Sequence, residues 1–177
     1  MIHQSLFPHA LTTLLLFGIT TASVAGDGES GTIGALAGNY YYGDGLAFNC
    51  SLVLKPEGRF SFRWRGCLGL YGMNEGSAKV ESNHLILTPE QPNDSTGFGG
   101  TLTDFVVVRW GDRLYLIPKE DGKRFCNEVK LGSEPRSKLH GSFYLRRGDY
   151  DKKVTDLPTV PKEWESWLQK QPLEREK

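Results

Sequence analysis

The residues of this chain best suited to chemistry are three cysteines, Cys50, Cys67 and Cys126, and the histidine His140. Cys and His side chains together can hold zinc. The spacing here has no Cys-x-x-Cys and no His pair, so neither a metal nor any other cofactor is expected. Cys126 with His140 has the residue types of a nucleophile and its base. Nothing around them supplies an oxyanion hole. The chain also has no Gly-x-Ser-x-Gly turn, and its acidic residues form no pair that can be set about 5 Å apart for glycoside cleavage. Gly97-Phe98-Gly99-Gly100 lacks the Lys and following helix of a phosphate loop. No catalytic residue is assigned.

The compartment decides how the cysteines are read. Residues 1–25 contain no Lys, Arg, Asp or Glu, and 10–21 are a short apolar run ending before Ser23-Val24-Ala25. Small residues one and three places before a cut, after such a run, make a secretory signal. Cleavage after Ala25 is expected, with a secreted or periplasmic mature protein of roughly 150 residues, enough for one domain with a real core. In an oxidising compartment the default is one disulfide and one thiol left over. Cys50, Cys67 and Cys126 are the candidates, with Cys67 to Cys126 slightly favoured.

Charge excludes one class of partner. The 21 basic and 21 acidic residues balance, leaving no excess to neutralise phosphates, so no nucleic acid is expected. No apolar segment after the signal is long enough for a transmembrane helix. Asn49-Cys50-Ser51 and Asn93-Asp94-Ser95 fit the glycosylation pattern, which arises by chance in a chain of this length.

The elements that must position these residues are eight short β-type runs, at 39–43, 48–55, 59–65, 77–81, 84–88, 102–110, 113–117 and 142–146. The third shows the logic. Phe60, Phe62 and Trp64 alternate with Arg59, Ser61, Arg63 and Arg65, as a strand with one dry and one wet face requires. Pro56-Glu57-Gly58 predicts a tight hairpin that pairs Leu54 with Phe60, Leu52 with Phe62 and Cys50 with Trp64. The fourth run is the weakest. Asp104 lies on the sixth, and two alternatives stay open: a carboxylate inside the protein, or a wet one if Phe105 and Val107 turn inward.

Eight runs joined up and down predict a mostly β fold, an antiparallel barrel closed so that no edge is exposed. Tight turns gather at one end and long loops at the other. A short helix over 123–131, started by Asp121 and stopped by Gly132, is expected in the last long loop. Pro161 starts a second helix, whose Trp164, Trp167 and Leu168 form one apolar stripe. The domain plan is a signal at 1–25, a linker at 26–37, the barrel at 38–148, a linker and docked helix at 149–171, and a frayed tail at 172–177.

Loops on a rigid barrel are where binding groups collect. The expected ligand-binding set is Trp64 and Tyr71 as apolar walls with Arg136 and His140 as polar groups, all at the loop-bearing end. The expected function is a binding module for a small apolar or amphipathic ligand, or for a partner protein. The alternatives are an envelope enzyme using a Cys/His/Arg site at the same end, or a filled barrel serving only as a protein contact.

Two resemblances bear on this. Lipocalins open their first strand with Gly-x-Trp and set an Arg from the last strand against that Trp; here Gly38-Asn39-Tyr40 stands at the first place, and Arg146 or Arg147 at the second. At the level of fold the chain resembles these calycin-type barrels, with Tyr in place of Trp. Separately, the stretch 109–118, with Phe125-Cys126-Asn127 and Glu134-Pro135-Arg136, is similar to uncharacterised exported bacterial proteins. That implies an envelope location and no particular activity.

Overall fold

The structure, a computed structural model, describes residues 31–93, 97, 99–132 and 141–169. The expected signal at 1–25 lies outside them. The alternating runs form eight strands: β1 (Gly38–Gly43), β2 (Asn49–Leu54), β3 (Arg59–Gly66), β4 (Gly69–Glu81), β5 (His84–Pro89), β6 (Asp104–Trp110), β7 (Arg113–Pro118) and β8 (Gly141–Arg146). Each pairs antiparallel with the next, and β1 pairs with β8, so the sheet is a closed up-and-down barrel. The fold class is the one the alternation predicted. The β2–β3 register is also as expected, with Leu54, Leu52 and Cys50 opposite Phe60, Phe62 and Trp64. Gly58 takes φ +79° to close the turn.

One connection differs from expectation. Residues 66–76 are not a loop: β4 begins at Gly69, and Cys67-Leu68 alone turns the chain. The glycines that disguise this strand make room for the aromatics of β3. Phe60 lies opposite Gly76 and Trp64 opposite Gly72. A Cβ at 76 would stand 2.8 Å from the Phe60 ring. Small residues facing large ones make room for bulky rings inside a narrow barrel.

The wall separates two cores. Inside lie Tyr40, Cys50, Leu52, Leu54, Phe60, Phe62, Leu85, Leu87, Phe105, Leu114, Leu116 and Tyr144, with Tyr42, Phe48, Trp64 and Val107 packed against them. Outside, Val106, Val108, Trp110, Tyr115, Ile117, Phe143 and Leu145 are covered by Phe125, Cys126, Val129 and Trp164. The cover comes from the two expected helices, α2 (Gly122–Lys130) and α3 (Lys162–Leu168). A helix missed in the sequence, α1 (Ile33–Leu36), sets Leu36 into the inner core, and Tyr40 donates its hydroxyl to the Leu36 carbonyl at 2.6 Å.

Phe105 and Val107 face inward on β6, which resolves Asp104. Its carboxylate is outside and partly exposed, bound by His84 Nδ1 at 2.9 Å and Lys119 Nζ at 3.2 Å. Of the two arginines proposed to close against the first strand, Arg146 does so. It lies opposite Tyr40, and its guanidinium donates to the Ala35 carbonyl at 3.2 Å and to Asp149 at 3.0 Å.

Candidate functional site

The expected end of the barrel is built from a rigid wall outward. Its connections are 44–48, the Cys67-Leu68 turn, 90–103 and 119–140. In the first, Asp44 accepts the backbone N–H groups of Leu46 at 2.8 Å and Phe48 at 2.9 Å. These bonds hold its carboxyl below the usual range. They also fix Leu46 at the apex, 79 % exposed. On the neighbouring hairpin Leu68 is 91 % exposed, and Leu70, Tyr71 and Met73 are also exposed. Arg63 and Arg65 point outward beside them, paired across the strands with Met73 and Leu70. The result is a protruding apolar tip with a basic flank.

Behind the tip, aromatic rings run into the core. Tyr71 packs on Trp64 with centroids 5.5 Å apart, Trp64 on Phe48 at 5.7 Å, Phe48 on Tyr42 at 5.1 Å and Tyr42 on Tyr144 at 5.3 Å. The Trp64 indole N–H is buried and finds no acceptor among the described residues. Thus the structure brings together two members of the expected site, Trp64 and Tyr71. Arg136 and His140 lie outside the described residues, and so does the pairing of Cys126 with His140.

The cysteines correct the sequence reading. None is paired: Cys50, Cys67 and Cys126 are all free thiols. The reason is topological. Cys50 lies inside the barrel, Cys126 lies outside it beneath Trp164, and Cys67 is on the exposed turn. A disulfide needs Cα atoms within about 7 Å, and the wall separates the two buried thiols. Burial pushes both Cys50 and Cys126 up to about 11. That is opposite to the activation a nucleophile needs, so neither is available as an ordinary reactive thiol. Among the described residues no group of three or more His, Cys, Asp or Glu could hold a metal.

The His84–Asp104 pair was not singled out in the sequence, because its members are 20 positions apart. Burial alone would raise the Asp104 pKa; the hydrogen bonds from His84 and Lys119 outweigh it and hold the carboxyl low. No nucleophile is hydrogen-bonded to this pair among the described residues. It ties the start of β6 to β5 and to the turn after β7.

A concavity lies at the opposite, tight-turn end. It is a cleft of ≈ 510 Å³ between α1, the Ser82-Asn83 turn, β6 and the segment Thr159-Val160-Pro161. Sequence reasoning missed it because no single stretch carries it.

Fold and site together define a small closed antiparallel barrel with a buried apolar core and an apolar tip, a form consistent with the lipocalin-like resemblance. No protein-family model, curated protein or solved structure matches the chain. The kinship with exported bacterial proteins therefore finds no support beyond the residues that suggested it.

Proposed function

We propose that this protein is an exported binding module, secreted or periplasmic, that works through the outer surface of its loop-bearing end. The apolar tip is the observation that carries the reading. Leu46 on the 44–48 connection and Leu68, Leu70, Tyr71 and Met73 on the neighbouring β3–β4 hairpin are exposed together. Soluble proteins rarely expose such groups side by side without a partner. The inert buried thiols argue against the Cys-based enzyme.

The tip protrudes, and Arg63 and Arg65 flank it. An apolar wedge with a cationic collar suits an anionic lipid surface: the leucines enter the acyl boundary while the guanidinium groups meet headgroups. Tyr71 and Trp64 behind the tip have the amphipathic rings favoured at that depth. The helices give no competing anchor, since none among the described residues is long and apolar enough to cross a membrane.

Co-sedimentation with phosphatidylglycerol vesicles tests this. Binding is expected, reduced at least tenfold by Leu68→Ser with Leu70→Ser. Arg63→Gln with Arg65→Gln should remove the preference over phosphatidylcholine. Wild-type protein that stays in the supernatant with both lipids would overturn the lipid reading. A protein partner could then be sought with a photo-crosslinker at position 68.

A further inference from the structure

The cleft at the tight-turn end is unrelated to the apolar tip and stands on its own observations. Its walls are Leu36, Val80, Val107 and Val160; Ser82 and Asn83 form a polar lip. Its volume of ≈ 510 Å³ is of the size that small-molecule sites have. The walls are fixed. Leu36 belongs to the inner core and its carbonyl is held by Tyr40. The lip is held where the Val107 N–H donates to the Asn83 carbonyl at 2.8 Å, with Ser82 in a left-handed turn at φ +55°. The far wall is held where the Thr159 N–H donates to the Arg109 carbonyl at 2.8 Å.

Arg109 gives the cleft its chemistry. On β6 it follows Phe105 and Val107 on the inward face, so its side chain leaves the barrel at the mouth of the cleft. Four other arginines of the domain are tied down. Arg59 pairs with Glu90, Arg124 with Asp121 and Arg146 with Asp149, and Arg113 donates to the Lys152 carbonyl. The Arg109 guanidinium has no hydrogen bond or ion pair to a described residue, although its backbone is pinned by Thr159. A rigid apolar pocket with one uncommitted, planar, permanently charged donor at its rim is complementary to an amphipathic monoanion.

We infer that this cleft binds a medium-chain carboxylate, its head on Arg109 and its chain against Leu36, Val80, Val107 and Val160. The head is not restricted to a free fatty acid by this geometry; a lipid-derived monoanion offers the same charge and chain.

Titration of the protein with decanoate, followed by calorimetry and by backbone amide shifts, tests the inference. Saturable one-to-one binding is expected, with shifts at Val80, Asn83, Val107 and Val160. Arg109→Gln should weaken it at least tenfold without altering the thermal melt, and decanol should bind at least tenfold more weakly than decanoate. Leu68→Ser should leave it unchanged, which separates this site from the vesicle contact. Equal affinity for wild type and Arg109→Gln, or shifts confined to the 66–73 hairpin, would overturn it.

Discussion

Arg146 lies across Gly38: a Cβ added to that glycine, which holds φ +150°, would stand 3.0 Å from the arginine Cδ. The first residue of the barrel is thus kept bare so that the last strand can reach over it. The reach ends on Asp149, a carboxylate 1 % exposed that accepts Arg146 Nε at 3.0 Å, Lys152 Nζ at 2.8 Å and the Leu114 N–H at 3.0 Å. Asp149→Ala leaves a buried backbone donor and a half-buried guanidinium without their acceptor. The expected loss is about 3 kcal/mol in urea unfolding. A loss below about 1 kcal/mol would mean that water replaces the carboxylate without cost.

The thiols give a second expectation. In the native protein at pH 8 only Cys67 should react promptly with a disulfide reagent, because Cys50 and Cys126 are buried and their pKa values stand at about 11. Unfolding without reductant should release three thiols. A count of one would restore the disulfide expected from the compartment.

Helix α3 docks through one contact that tolerates no added atom. A Cβ at Gly122 would stand 2.3 Å from the Trp164 ring. Gly122→Ala should cost about 1–3 kcal/mol by overpacking. In a double-mutant cycle, much of that penalty should vanish against Trp164→Ala, since the clash needs both partners. Additive losses would place the effect in α2 alone.

How far the fold could be read depends on what each face shows. β3 was legible because Phe60, Phe62 and Trp64 alternate with polar residues. Pro56-Glu57-Gly58 then fixed the register of the hairpin. The first half of β4 was not, because Gly69, Gly72 and Gly76 have no side chains with which to show a period, and the role of Gly72 and Gly76 depends on the aromatics they face. At the expected site, Trp64 and Tyr71 were grouped because both fell at the loop-bearing end; the Cys67-Leu68 hairpin that sets their rings together was not expected. The opposite cleft draws Leu36, Val80, Arg109 and Val160 from four separate stretches, which only the closed topology assembles. The disulfide expectation failed because compartment and cysteine number do not say on which side of a wall a thiol lies.

Acid should expose the value of the Asp104 bridge. Its folded pKa is depressed, so its contribution is present above the unfolded value near 4 and is lost as pH falls through the folded one. Asp104→Asn should cost about 0.5–1 kcal/mol near neutrality, as expected for a partly exposed pair. Once the pH has fallen below the folded pKa, both proteins should unfold at similar denaturant concentrations. A gap that widens on acidification would contradict the depressed pKa.

The closing seam between β1 and β8 has a consequence in time. Tyr41 meets Leu145 across it, and bringing the two together closes roughly 100 residues of intervening chain. Every other strand pairs with a neighbour in sequence and can form as a local hairpin, whereas this seam must wait for the last strand. A chain made from its N-terminus onward therefore carries an open β1 edge until residues 141–146 have emerged.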